Sequence, residues 1–156
     1  MKIDIITLFP EMFVGPFAQS IVKRAIDKEL VEINIRDLRA WGEGERKTVD
    51  DRPYGGGVGM ILRVDIIEKA VSELKKDSQS TKVILLDATG KKFTQNTARE
   101  LSQIEHLILI AGHYEGFDHR IHERLVDEVI SIGDYILTGG EIPAMVVADA
   151  IVRLIP

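Results

Sequence analysis

The 156-residue chain is 45% hydrophobic and 29% charged, a composition that fits one globular domain with a real core and excludes a disordered tail or a fibrous repeat. Lys and Arg number 20 against 25 for Asp and Glu, a formal charge of −5, which is the wrong sign for gripping nucleic acid by bulk electrostatics, so any such role has to be local or borrow charge from elsewhere. Cysteine is absent, which excludes disulfide staples, Cys-ligated zinc, iron–sulfur clusters and thiol catalysis.

A soluble, cytoplasmic protein without a membrane association is expected. Met1 to Phe9 lacks the ordered regions of an export signal, and no apolar run approaches the roughly 18 residues of a membrane span. Lys2 to Leu8 reads as a strand, and Phe17, Ile21, Val22 and Ile26 recur at helical spacing across Pro16 to Asp27. From Val31 to Leu38, Val31, Ile33 and Ile35 alternate with Glu32, Asn34 and Arg36, a second strand. Trp41 to Gly59 breaks this rhythm with six glycines, Pro53 and mixed charges, and a loop that long inside a compact domain signals function or disorder. Ile61 to Lys75 resumes as a helix.

The second half holds three apolar runs that stop at glycines or small polar residues: Lys82 to Gly90, His106 to Gly116 and Glu128 to Gly140. Continuous Val, Ile and Leu runs mark strands buried on both faces, the pattern of a parallel sheet covered by helices. Helical patterns lie between them, one capped by Thr94 and followed by Ala98, Leu101 and Ile104, another from Asp118 through Ile121, Leu125 and Val126. The fold class is therefore α/β, a parallel sheet flanked by helices. In such sheets ligands bind beyond the carboxyl ends of the strands, where all three runs place their glycines.

Glycines there let the main chain approach a ligand closely, although each alone also suits a plain turn. The usual phosphate cradles are missing: there is no GxxxxGK[ST], and Gly55, Gly56, Gly57 and Gly59 do not form GxGxxG after a strand. His119 and His122 could share a helix face, but neither an HExxH pattern nor a third ligand accompanies them or His106 and His113, so no metal site is expected. GxSxG is absent as well. Glu115, between Tyr114 and Gly116, ends a buried run, where desolvation and ligand contact perturb ionisation; the same position also suits an acid stabilised by the helix beginning near Asp118. Arg153 falls in an otherwise apolar helix, Ile142 to Ile155, with Pro143 in its first turn, and has to be paired or point outward.

Four stretches, ITLFPEMF at Ile6 to Phe13, DDRPYGGGVGM at Asp50 to Met60, AGHYEGFDHRI at Ala111 to Ile121 and IGDYILTGGEIPAM at Ile132 to Met145, together resemble the bacterial tRNA (guanine-N1)-methyltransferases, which modify the guanine 3′ of the anticodon. The resemblance runs over the whole chain in family order. It implies a SPOUT-type α/β domain over residues 1–156 with a C-terminal deep trefoil knot, which general topology rules would argue against, and S-adenosylmethionine held in the knot loops. The cofactor is then expected against Leu86, Gly112, Ile132, Gly133, Tyr135, Leu137, Gly139 and Gly140, with Pro143 lining the pocket.

The resemblance further implies a homodimer whose active sites form where two knots meet. The loop carrying Asp50, Tyr54, Gly57 and Gly59 would help hold the guanine, with Glu115 and Arg153 matching catalytic positions. Magnesium is suggested by the family alone. The chain departs from the family where many members carry Ser-Pro-Gln-Gly and it reads Asp87, Ala88, Thr89 and Gly90. It also stops at Pro156, whereas members continue into a helical domain that grips the tRNA and carries the aspartate regarded as the general base. The expectation is a cofactor-binding domain with weak tRNA contact and little or no methylation alone. Two other readings are a knotted methyltransferase for a different RNA position, against which the Asp50 to Met60 segment argues, and a non-catalytic S-adenosylmethionine-binding module.

Overall fold

The computed structural model describes residues 1–53, 56–57, 59–75, 80–113 and 119–156. Five parallel strands form the central sheet: β1 (Lys2–Thr7), β2 (Glu32–Asp37), β5 (Thr81–Lys92), β6 (His106–Ala111) and β7 (Glu128–Ser131), in the order β2-β1-β6-β5-β7. The middle strand β6 is buried at every residue, as its unbroken apolar run predicts for a strand covered on both sides.

Side-chain alternation divides the core in two. Ile3, Ile5, Leu107, Leu109, Ile84 and Leu86 face one layer, packed with α1 (Ser20–Asp27), α3 (Gln95–Leu101) and α5 (Glu141–Val152). Ile6, Ile108, Ile110, Val83 and Leu85 face the other, where α2 (Val64–Lys75) and α4 (His119–Arg124) supply Ile66, Ile67, Ala70, Val71 and Ile121. No helix among the described residues is long and apolar enough to cross a membrane.

Several boundaries differ from the sequence reading. The first helix starts at Ser20, after a 3-10 turn at Pro10–Phe13 that seats Phe13 in the core. Ile61 and Leu62 do not begin a helix; they form β4, pairing antiparallel with β3 (Asp50–Asp51) inside the long loop. Glu43 and Thr48 also bridge there. The run at 82–90 does not stop at Gly90, because β5 bulges after Leu86 and rejoins β7 at Lys91. The run at 128–140 is a strand only to Ser131. Helix α5 ends at Val152, so Arg153 caps it instead of lying within it.

Candidate cofactor cavity

The carboxyl ends of β5, β6 and β7 open into one cavity of about 310 Å³. Each wall has a local reason for its shape. At the β5 bulge the Asp87 carboxylate accepts from the Thr89 amide at 2.8 Å and from Thr89 Oγ1 at 2.7 Å, a side-chain turn that lifts Asp87, Ala88 and Thr89 out of the ladder. The strand returns at Gly90, where a Cβ would lie 2.7 Å from the backbone of Val129 and Ile130. Beyond β7, Ser131 Oγ donates to the Gly133 carbonyl at 2.9 Å and accepts from the Gly133 amide at 3.3 Å. The Tyr135 hydroxyl donates to the Ile132 carbonyl at 3.3 Å, and its ring covers Gly133.

The third wall joins β6 to the entrance of α5. The Gly140 amide donates to the Gly112 carbonyl at 2.7 Å. The ring of His113 lies over Gly139 and meets Phe9 with 4.8 Å between centroids. Beneath this contact Glu141 is buried in the first turn of α5, where the helix dipole favours an acid, and it accepts from Thr7 Oγ1 at 2.8 Å.

All nine residues that the sequence reading gives to the cofactor, Leu86, Gly112, Ile132, Gly133, Tyr135, Leu137, Gly139, Gly140 and Pro143, line this one cavity. His113, Ile130, Ser131, Ile136 and Thr138 line it too and were not singled out for it, although each lies within two residues of one that was. The hydroxyls of Ser131 and Tyr135 are engaged by backbone carbonyls. Apart from Asp87, Thr89, His113 and Thr138, the remaining wall is main chain and apolar side chains, a surface suited to holding a flat or partly apolar ligand by shape and backbone hydrogen bonds.

Other expected site residues lie elsewhere. Arg153 is exposed at the far end of α5, thirteen residues beyond Gly140 and so about 20 Å along the helix, beside Asp149 and Gln95 in a separate groove. Asp50 sits half-buried in β3, opposite Leu62. Gly57 and Gly59 take φ values of 147° and 93°, conformations that favour glycine, and none of these three lines the cavity. Glu115 and Tyr54 lie outside the described residues.

Over residues 1–156 the chain matches the family described as tRNA (Guanine-1)-methyltransferase TrmD. Among curated relatives, the tRNA (guanine-N(1)-)-methyltransferase of Listeria welshimeri is 52% identical over 158 aligned residues, covering 100% of this chain and 64% of the relative. Those of Carboxydothermus hydrogenoformans and Dictyoglomus turgidum are 54% and 56% identical, again over the whole chain and over 61% and 62% of their own lengths. The chain thus spans less than two thirds of the length of these relatives.

Proposed function

The chain belongs to the tRNA (guanine-1)-methyltransferase family, and on that premise we propose that it is the S-adenosylmethionine-binding part of an enzyme that methylates N1 of the guanine next to the anticodon in cytoplasmic tRNA. The observation that carries this reading is that nine residues from separated parts of the sequence, expected on the cofactor, line a single cavity. Its volume, about 310 Å³, falls in the range of small-molecule pockets. Its wall also has the required chemistry, with main chain at Gly112, Gly133, Gly139 and Gly140 and apolar surface at Leu86, Ile132, Leu137 and Pro143.

S-adenosylmethionine, when bound, supplies an electrophilic methyl carbon on a sulfonium. The residues of the chain would then orient the acceptor. The N1 proton has to leave as the N1–methyl bond forms and the methyl–sulfur bond breaks, so a base is needed, while charge growing on O6 calls for a cationic partner. We assign Arg153 to O6 and Glu115 to the N–H edge of the guanine, with Asp50, Tyr54, Gly57 and Gly59 on the loop that holds the base. The proton acceptor is expected outside residues 1–156, so a polypeptide of these residues should bind cofactor with little methylation, with or without magnesium.

Arg153 is distant from the cavity of its own chain, so these roles require a second copy. The exposed face of α5 supports that requirement: Ile142, Val146, Asp149 and Arg153 form one solvent-facing stripe, with Ile142 46% and Val146 42% exposed. Val14 and Ile21, at 72% and 54%, add apolar surface in the neighbouring segment. Two apolar side chains one turn apart on an open helix face are ordinary for an interface between copies and costly in water. A SPOUT-type knot formed by the segments around β6, β7 and α5 is part of the same proposal.

Calorimetric titration of S-adenosylmethionine into the 156-residue chain tests the reading. Saturable binding is expected, and it should disappear in Ala88→Trp, which fills the cavity from an exposed position on its edge. No binding, or binding indifferent to that substitution, overturns it.

A further inference from the structure

Among the described residues that line the cavity, Asp87 is the only one with an acidic or strongly basic side chain. Its position is fixed from two directions. Leu86, the residue before it, is a buried member of the sheet, and Thr89, two residues on, holds its Oδ1 by both amide and hydroxyl. Both of those bonds fall on one oxygen, and Oδ2 accepts from no donor and pairs with no cation among the described residues. Asp87 as a residue is half-buried, and a carboxylate oxygen without a partner on a cavity wall loses water when a ligand enters and needs a donor in exchange.

No described residue of the cavity lining donates to that oxygen. The hydroxyls of Ser131 and Tyr135 are already donating to the carbonyls of Gly133 and Ile132. The matching ligand therefore has to bring its own hydroxyl or ammonium hydrogens. Leu86, Ile132, Leu137 and Pro143 offer apolar surface for a planar ring on the same wall, which puts the sugar of a bound nucleoside, more than a remote amino group, within reach of the strand end. An acid accepting from ribose hydroxyls near the end of a parallel strand is a recurrent solution in nucleotide-binding sheets.

We propose that Asp87 accepts a hydrogen bond from a ribose hydroxyl of the nucleoside held in this cavity, making the site selective for ribose over deoxyribose. This rests on reading the cavity as the S-adenosylmethionine site. Asp87 is thus a specificity residue of this cavity.

The test is calorimetric titration of S-adenosylhomocysteine, its 2′-deoxy and 3′-deoxy analogues and 5′-methylthioadenosine into the unaltered chain and into Asp87→Asn. Asparagine retains an Oδ1 for the Thr89 amide, so the turn survives, and the deoxy analogues test the unaltered chain without any substitution. Asp87→Asn should weaken S-adenosylhomocysteine and 5′-methylthioadenosine by the same factor, about tenfold or more for a hydrogen bond to a charged group. Removing one of the two hydroxyls should cost the unaltered chain a similar factor and cost Asp87→Asn almost nothing, because the partner is already gone. Equal affinity of the unaltered chain for all three S-adenosylhomocysteine compounds overturns the proposal. So does a loss in Asp87→Asn confined to S-adenosylhomocysteine, which would put the carboxylate on the amino-acid end. Failure of the unaltered chain to bind S-adenosylmethionine or S-adenosylhomocysteine at all overturns the cofactor reading itself.

Discussion

The amide of Gly140 donates to the carbonyl of Gly112 across 2.7 Å, tying the entrance of α5 to the end of β6. A Cβ at Gly140 would stand 2.5 Å from the Gly112 nitrogen and 2.7 Å from the Ala111 Cα. Because its φ is −84°, glycine is required there by close approach of two main chains and not by backbone handedness.

Gly140→Ala should therefore destabilise the fold by about 1–3 kcal/mol, the usual cost of overpacking a core. For a domain of this size that lowers the thermal midpoint by about 2–4 °C per kcal/mol. The same substitution should weaken cofactor binding, since the displaced segment forms one wall of the cavity. Differential scanning calorimetry with and without S-adenosylmethionine reads both effects.

Asp4 is fully buried at the opposite end of the sheet. It accepts from Arg36 Nε at 2.7 Å and lies 2.7 Å from His106 Nε2, whose other ring nitrogen is 2.9 Å from Thr81 Oγ1. Asp4→Ala leaves these partners without the carboxylate, and removal of one member of a buried ionic network costs about 3 kcal/mol. His106 precedes Gly112 by six residues, about 20 Å of strand, so cofactor affinity should stay within about twofold at temperatures where the variant is folded. A denaturant series and a titration at low temperature separate the two quantities.

The stripe on α5 makes a prediction about assembly. Val146→Glu places a charge where Ile142 and Val146 offer apolar surface, and because Val146 is 42% exposed the substitution should leave the fold of one chain intact. Sedimentation should show a dimer becoming a monomer. Under the proposed function, in a polypeptide that also supplies the proton acceptor, Arg153→Ala should leave S-adenosylmethionine affinity within about twofold and reduce methyl transfer by about a hundredfold, on the scale of losing one charge-stabilising donor.

Arg63 forms a fork on Asp65, with Nη2 at 2.8 Å and Nε at 3.1 Å, and reaches Glu43 at 2.7 Å. The hydrogen bonds from Arg63 hold the Asp65 carboxyl below the usual aspartate value, and the two acids raise the already high guanidinium value. A depressed carboxylate contributes stability above its unfolded value, about 3.9, and loses it as pH falls through the lower folded value. Lowering pH from 5 to 3 should therefore reduce the hydrogen-exchange protection factors, taken relative to the intrinsic rate at each pH, around Glu43 and at β3 and β4, modestly, since the Asp65 side chain is 46% exposed. Arg63→Met should remove most of that pH dependence.

Helix and strand order was readable because burial imposes its period on the residues. The unbroken HLILIA of β6 marks a strand covered on both faces, and Thr94 marks the start of α3 by accepting from the Thr97 amide. The boundaries were less legible where long-range pairing overrides local pattern. Ile61 and Leu62 read as helix by composition, and their exchange with Asp50 and Asp51 makes them strand. The run after Ile130 reads as one strand, but its backbone turns away at Ser131, whose hydroxyl takes up the Gly133 amide and carbonyl.

By itself the sequence determined the α/β class, the strand ends at which ligand chemistry collects, and a family pattern specific enough to nominate residues. Only the tertiary structure decided that residues from 86 to 143 share one cavity, and that Arg153 stands at the other end of α5. It also showed Asp87 on the cavity wall with one oxygen engaged by Thr89 and the other without a donor among the described residues. The physical reason is that periodicity reports which face of an element is buried. Which ends of distant elements converge depends on strand order, on a bulge at 87–90 and on two glycine backbones in contact, none of which leaves a period in the chain.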